Sequence, residues 1–194
     1  DIHRYNYTDC LSRVCKLANA LVGLGIKKGD RIATLAWNGY RHLELYYGIS
    51  GIGAVCHTIN PRLSPEQMLY IIEHAGDRLL FVDTTFVPII EKLIPKLPKN
   101  LVIIVMASSD DSSTLSDNFL NYEQLILESS HDIIWPELPE NTAAGLCYTS
   151  GTTGNPKGAL YSHRSTVLHA LTTSLNLGPS LGDGMKVLPV VPLF

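Results

Sequence analysis

A run of eleven residues, Tyr148 to Gly158, reads YTSGTTGNPKG and combines three glycines, four Ser/Thr hydroxyls and one lysine. Glycines let the backbone turn tightly and approach a ligand closely, and successive N–H groups in such a turn form a concave site for anions. The hydroxyls and Lys157 add donors suited to phosphate oxygens. Because the run follows the apolar segment Ala143–Cys147, the pattern predicts a strand that leads into a phosphate-binding loop.

The lysine of this run does not stand where a P-loop lysine would. P-loop NTPases need G-x-x-x-x-G-K-[ST], whereas Gly154 is followed by Asn155 and Pro156 before Lys157, and Gly158 replaces the Ser or Thr. Pro156 also disfavours helix at Asn155. A kinase or NTPase of the P-loop type is therefore disfavoured. By composition alone, a Gly/Thr-rich surface loop without a ligand is an alternative.

The complete run resembles the phosphate-binding signature of the adenylate-forming superfamily, which comprises acyl-CoA synthetases, luciferases and the adenylation domains of peptide synthetases. Three further stretches agree with this resemblance: Asn60–Leu63 (NPRL), Gly158–Arg164 and Val187–Phe194. The resemblance covers essentially the whole chain and is strongest to medium- and long-chain fatty acyl-CoA synthetases.

The resemblance implies an ATP-dependent acid–thiol ligase. A carboxylate attacks the α-phosphorus of ATP to give an acyl-adenylate and pyrophosphate, and the thiol of coenzyme A then displaces AMP. The implied small molecules are ATP, Mg²⁺, coenzyme A and a carboxylic acid, with a fatty acid as the first expectation. A ligase for aromatic, small sulfur-containing or branched acids is an alternative. A non-catalytic nucleotide-binding or scaffold module is another.

The resemblance also assigns roles within the loop. Residues implied to bind ATP phosphates are Thr149, Ser150, Gly151, Thr152, Thr153, Gly154 and Lys157. Lys157 and Thr153 are the implied catalytic residues, because preorganised donors stabilise the charge that grows on the departing phosphates. Thr149 is implied to help hold Mg²⁺, which keeps several waters and few protein ligands. His163 and Arg164 are either a second anion contact or, for the histidine, a locally hydrogen-bonded residue.

Apolar strands alternate along the chain with amphipathic helices, which predicts an α/β fold with a layered, largely parallel sheet and flanking helices. The pattern predicts helices at Pro65–Ala75, Phe86–Leu97, Asn118–Ser129 and Thr166–Leu177 and strands at Leu79–Val82, Ala143–Cys147 and Lys186–Val191. By resemblance, we expect residues 1–194 to be an incomplete large N-terminal AMP-binding domain. The adenine, acid and coenzyme A sites and the small C-terminal domain would lie outside it, so this piece alone should have little or no ligase activity.

The composition and charge of the chain restrict the kinds of partner and the compartment that we expect for it. The net charge is −3 and no basic run exceeds Lys27-Lys28, so we expect no nucleic-acid partner. No apolar stretch reaches the roughly 18–20 residues of a membrane span. The four cysteines form no C-x-x-C pair, which predicts buried free thiols and a reducing, cytoplasmic setting. Sheet surface left uncovered in an incomplete domain favours association, so a homodimer is a further expectation.

Overall fold

A seven-stranded sheet organises the chain in the computed structural model, which describes residues 3–108, 118–149, 155–177 and 186–194. The strands are β1 (Arg31–Leu35), β2 (Val55–Thr58), β3 (Leu79–Val82), β4 (Val102–Val105), β5 (Phe119–Asn121), β6 (Ala143–Thr149) and β7 (Lys157–Ser162). Their order across the sheet is β5-β4-β3-β1-β2-β6-β7. Neighbours among β1 to β6 are parallel, and β7 runs antiparallel to β6. The prediction of a largely parallel sheet is confirmed.

Helices cover both faces of the sheet. They are α1 (Tyr7–Gly23), α2 (Tyr40–Gly51), α3 (Pro65–Ala75), α4 (Val87–Leu93), α5 (Tyr122–Leu127) and α6 (His163–Leu177). One buried core joins α1, α2 and α5 to the sheet, and a second joins α3 and α4 to its other face. Burial on both faces explains why β3 reads as a continuous apolar run, Leu-Leu-Phe-Val, with all four residues buried.

Helix α3 shows how local sequence sets an element's limits. Ser64 accepts a hydrogen bond from the backbone N–H of Gln67, and the Gln67 side chain accepts one from the backbone N–H of Ser64. Pro65 occupies the first helical position, where a missing N–H costs nothing. Gly76 ends the helix in the left-handed conformation, with φ of 65°, which favours glycine. The predicted bounds of this helix are confirmed.

Three predicted elements differ from the structure in type or extent, and two more differ only in their bounds: β6 continues to Thr149 and α6 begins at His163. The helix predicted at Asn118–Ser129 is wrong in its first part, because Phe119–Asn121 pairs with β4 as a strand before α5 begins. The segment Phe86–Leu97 contains only the short α4, followed by a 3₁₀ turn at Ile94–Lys96 that contains Pro95. The predicted strand at Lys186–Val191 is wrong: the described residues 186–194 form no strand.

A network of charged side chains ties α1, α2 and α5 together. Arg13 of α1 bonds to both carboxylate oxygens of the fully buried Glu44 and to both of Glu123. Arg41 of α2 adds a second cation to Glu123, with Nε 2.6 Å from Oε1. The hydroxyl of the buried Tyr122 donates to Glu44 at 2.6 Å. The network fixes the packing of three helices on one face of the sheet.

Burial falls off at one edge of the sheet. Every residue of β6 from Ala143 to Tyr148 is only partly buried, and on β7 Leu160 is 62% exposed. Apolar side chains of α6 are also exposed, namely Val167, Leu168, Leu171 and Leu175. The exposed apolar surface at this edge agrees with the expectation from the sequence, and apolar patches of this kind are candidate interaction surfaces.

The cysteines are free, as predicted: Cys10, Cys15 and Cys56 are buried and Cys147 is partly buried. Among the described residues, no helix combines the length and apolar character needed to cross a membrane.

Candidate nucleotide-binding site

The predicted phosphate loop connects two antiparallel strands. β6 ends at Thr149 and β7 begins at Lys157, and the register pairs these two residues directly. Because directly opposed residues in an antiparallel pair share a face with Cβ atoms about 4.5–5.5 Å apart, the Thr149 hydroxyl and the Lys157 side chain lie on the same side. Both residues are exposed. Two of the predicted phosphate-binding residues thus stand together at the neck of the loop.

The remaining predicted loop residues, Ser150, Gly151, Thr152, Thr153 and Gly154, lie outside the described residues. Their phosphate contacts, and the catalytic role of Thr153, stay predictions.

The loop lies at the carboxyl end of the parallel part of the sheet. β6 runs parallel to β2, with Thr58 opposite Cys147, two residues before the loop neck. Ligands of open α/β sheets bind beyond the carboxyl ends of the strands. A strand rather than a helix follows the loop, as Pro156 predicted, so donors for an anion must come from the loop itself and from Lys157 instead of a helix N-terminus.

Arg164 and His163 do not belong to this site. Arg164 forms an ion pair with Glu140, and the backbone N–H of His163 donates to Thr142. These residues follow Ser162, which pairs with Ala143 at the opposite end of β6. Six residues of strand, or about 20 Å, separate that end from the loop neck. These two residues are therefore too far from the loop neck to contact an anion held there.

Tyr148, directly before the loop neck, contacts two histidines and lies over a glycine. Its hydroxyl is 2.7 Å from Nδ1 of His74, and its ring centroid is 5.1 Å from that of His57. Burial raises the pKa of Tyr148, and the nearby Asp77 carboxylate adds to the increase. A Cβ atom on Gly158 would come within 3.2 Å of the Tyr148 ring. Sequence spacing gave no signal for this cluster, since its members come from separate elements.

Asp77 also belongs to this cluster, through its contact with His57. Its two carboxylate oxygens lie 2.8 and 3.0 Å from Nδ1 of His57, and both side chains are fully buried. Burial raises the pKa of Asp77 above its usual value, although the hydrogen bond and charge of His57 oppose the shift. Nε2 of His57 is buried with no hydrogen-bond partner among the residues that the structure describes.

A cavity of about 370 Å³ opens beside β6. The strand and helix residues that line it are Tyr46, Cys56, Thr58, Gly145, Leu146, Cys147 and Tyr161. Pro192 to Phe194 also line it, and the side chain of Asn38 holds this segment with bonds to Pro189 and Val191 carbonyls and to the Leu193 N–H. The lining contains no charged side chain, so the cavity suits an uncharged group rather than a phosphate.

Metal ligands are sparse. Within the described ranges, no group of three or more His, Cys, Asp or Glu side chains could hold a metal ion. Thr149 offers a single hydroxyl at the loop neck. Since Mg²⁺ keeps several waters and takes few protein ligands, one threonine oxygen beside bound phosphates is chemically compatible with that ion.

Comparison with known proteins agrees with this geometry. The profile of the AMP-binding enzymes matches residues 1–194. The chain is 51% identical over 183 residues to the medium-chain-fatty-acid–CoA ligase of Ectopseudomonas oleovorans, covering 94% of this chain and 34% of that protein. It is 47% identical over 196 residues to the 3-methylmercaptopropionyl-CoA ligase of Ruegeria lacuscaerulensis, covering 100% of this chain and 36% of that protein. The crystal structure of the anthranilate CoA ligase AuaEII with anthranoyl-AMP superimposes with a TM-score of 0.79 at 27% identity, covering 85% of this chain and 31% of the other.

The parallel sheet, with its loop at the carboxyl ends of the strands, defines an open α/β fold of the kind that binds ligands at those ends. The chain belongs to the AMP-binding enzyme family. It spans about a third of the length of the curated relatives that it matches.

Proposed function

We propose that the full-length protein is an AMP-forming acyl-CoA ligase that activates a carboxylic acid, first of all a fatty acid, as its acyl-adenylate and transfers it to coenzyme A. One observation carries the proposal. In a chain of the AMP-binding enzyme family, the signature run brackets its loop with Thr149 and Lys157 in register, at the carboxyl end of the sheet. A lysine and a threonine fixed side by side are suited to hold the phosphates of ATP.

The proposed chemistry assigns separate tasks to the residues of the loop neck. Lys157 places a compact positive charge next to the loop and stabilises the negative charge that builds on the departing β- and γ-phosphates. Thr153, within the loop, donates its hydroxyl to the same oxygens. Thr149 would hold Mg²⁺ through its hydroxyl. When bound, that ion neutralises part of the phosphate charge.

The domain, partners and location follow from the same proposal. Residues 1–194 would form an incomplete large N-terminal AMP-binding domain, completed by the rest of that domain and a small C-terminal domain. ATP, coenzyme A and the acid would be the small-molecule partners. The reducing cytoplasm suits the free thiols, and the exposed apolar face of α6 and β7 supports a homodimer as one way of covering it.

A second candidate substrate is a short sulfur-containing acid. The chain is 47% identical to a 3-methylmercaptopropionyl-CoA ligase and 51% identical to a medium-chain-fatty-acid–CoA ligase. This small difference does not separate the two acid classes. The choice depends on the acid-binding residues, which by resemblance lie outside this chain.

Acid-dependent exchange of labelled pyrophosphate into ATP tests the proposal. The full-length protein is assayed with straight-chain acids of graded length, with 3-methylmercaptopropionate, with benzoate and without acid. We expect exchange that needs an acid and is fastest for a medium or long chain. A maximum with 3-methylmercaptopropionate would support the second candidate. ATP binding without exchange for any acid would refute the ligase and favour the scaffold alternative.

A further inference from the structure

Two elements outside the loop hold Tyr148 in place. Its hydroxyl is hydrogen-bonded to His74 in the last turn of α3, at 2.7 Å, and the two rings meet edge-on with centroids 5.8 Å apart. The ring of His57, on the neighbouring strand β2, packs against Tyr148 from another direction at 5.1 Å. The tyrosine is therefore tied both to a helix and to the interior of the sheet.

The His57 ring, which packs against Tyr148, is itself held in place by Asp77. Asp77 follows the end of α3, and its carboxylate contacts Nδ1 of His57 through both oxygens. A carboxylate that holds one ring nitrogen fixes the orientation of an imidazole. The contact with Asp77 therefore accounts for a fixed orientation of the His57 ring against Tyr148.

Gly158 is the residue of β7 against which the Tyr148 ring packs. It pairs with Tyr148 in the β6–β7 register. A Cβ atom at Gly158 would meet Leu146 Cδ1 at 3.0 Å and Tyr148 Cζ at 3.2 Å, so the Tyr148 ring lies across the backbone of β7. Gly158 does not have a positive φ, so close approach of the ring, rather than an unusual backbone conformation, accounts for the glycine.

We propose that the anchored ring of Tyr148 is a positioning device that sets where Thr149 and Lys157 stand at the two ends of the loop. This inference rests on the ligase function proposed above. Side chains alternate along a strand, so Tyr148 faces away from the side on which Thr149 and Lys157 meet. It acts through the backbone of β6 and β7 and does not touch the phosphates.

The test removes the anchoring hydroxyl and keeps the ring. Tyr148→Phe is compared in the full-length protein with Tyr47→Phe, a matched change at an exposed tyrosine of α2. Pyrophosphate exchange gives kcat and the KM for the acid separately. We expect Tyr148→Phe to lower kcat by about two- to tenfold, because a small misplacement of positioned groups lowers the rate. The KM for the acid should be unchanged, and the urea midpoint should shift little because the lost hydrogen bond is exposed to solvent. Tyr47→Phe should match the wild type.

A double variant separates positioning from general disturbance. His74→Phe removes the partner of the same hydrogen bond, so Tyr148→Phe and His74→Phe together should lower kcat no further than either alone. Non-additivity of this kind is expected only for residues that act as one unit.

Three outcomes would overturn the inference. Wild-type exchange with an unaltered kcat in Tyr148→Phe would overturn the inference alone and leave the ligase proposal standing. A kcat that falls only in proportion to the loss of folded protein would assign Tyr148 a structural role. Absence of acid-dependent exchange in the wild type would refute the ligase proposal, and this inference with it.

Discussion

Replacing Glu44 by glutamine should destabilise the fold substantially. Glu44 is fully buried on α2. It accepts hydrogen bonds from Arg13 Nε at 2.7 Å, from Arg13 Nη2 at 3.1 Å and from the Tyr122 hydroxyl at 2.6 Å. Glutamine keeps the size of the side chain, but an NH₂ group replaces one oxygen. Because Arg13 binds both carboxylate oxygens, one guanidinium N–H then faces a donor in either orientation of the amide. The Tyr122 hydroxyl can still donate or accept.

The size of the loss in free energy of unfolding depends on the contacts that Arg13 keeps in the variant. Breaking a fully buried ion pair by removing one partner costs about 3–5 kcal/mol. Arg13 retains both contacts to Glu123 and its side chain is 23% exposed, so water and the second carboxylate compensate in part. We therefore expect the free energy of unfolding to fall by about 2–3 kcal/mol, below the fully buried range.

Urea unfolding of the 194-residue chain measures this difference through the fluorescence of its two tryptophans, Trp37 and Trp135. Glu91→Gln, at an exposed glutamate of α4, is the matched control and should change the free energy of unfolding by less than about 0.5 kcal/mol. A Glu44→Gln variant as stable as this control would refute the reasoning. The carboxylate would then contribute nothing beyond the packing that glutamine preserves.

Three further predictions concern the loop neck, the thiols and acid stability. Lys157→Ala in the full-length protein should lower kcat for pyrophosphate exchange by at least about tenfold, with little change in the KM for the acid. The control Lys99→Ala, at an exposed lysine, should have no effect. Equal exchange in both variants would contradict the role of Lys157. Burial raises the pKa of the Cys56 thiol to about 12. Iodoacetamide at pH 8 should therefore modify the partly buried Cys147 first and Cys56 only after unfolding, which mass spectrometry would show. Early labelling of Cys56 would count against its burial. Burial alone would raise the pKa of Glu123, but Arg13 and Arg41 outweigh burial and hold that pKa below its ordinary 4.5. The stabilising effect of the Glu123 carboxylate is therefore complete above pH 4.5 and is lost as the pH falls below that value. The urea midpoints of the wild type and Glu123→Gln should converge at low pH, and a constant difference would contradict the assignment.

The sequence was most informative where local chemistry determines the structure. The capping box and left-handed glycine of α3 are short-range signals, and the predicted bounds match those observed. The run from Tyr148 to Gly158 likewise predicted a strand before the loop, and Pro156 correctly disfavoured a helix after it. In such cases, residues within a few positions of one another make the decisive contacts.

Features that depend on distant contacts were missed. The three-residue strand β5 exists because it pairs with β4, and Phe119–Asn121 is too short to show a periodic pattern. Residues 186–194 have an apolar composition typical of a strand, yet Asn38 holds their backbone in an irregular path. The contacts of Tyr148 with His57 and His74 also require the assembled sheet. Distant pairing of this kind leaves no signature in the spacing of one sequence.

The uneven burial of the sheet has a consequence for how the protein is made. The two cores are formed by residues 17 to 126, so this part can close on itself while the ribosome is still adding the remainder. The exposed apolar side chains of α6 and β7 are accessible to a chaperone at that stage. We expect limited proteolysis of the 194-residue chain to spare the part that contains the two cores and to cut within 163–177. Uniform protection along the chain would show that this edge is as stable as the cores.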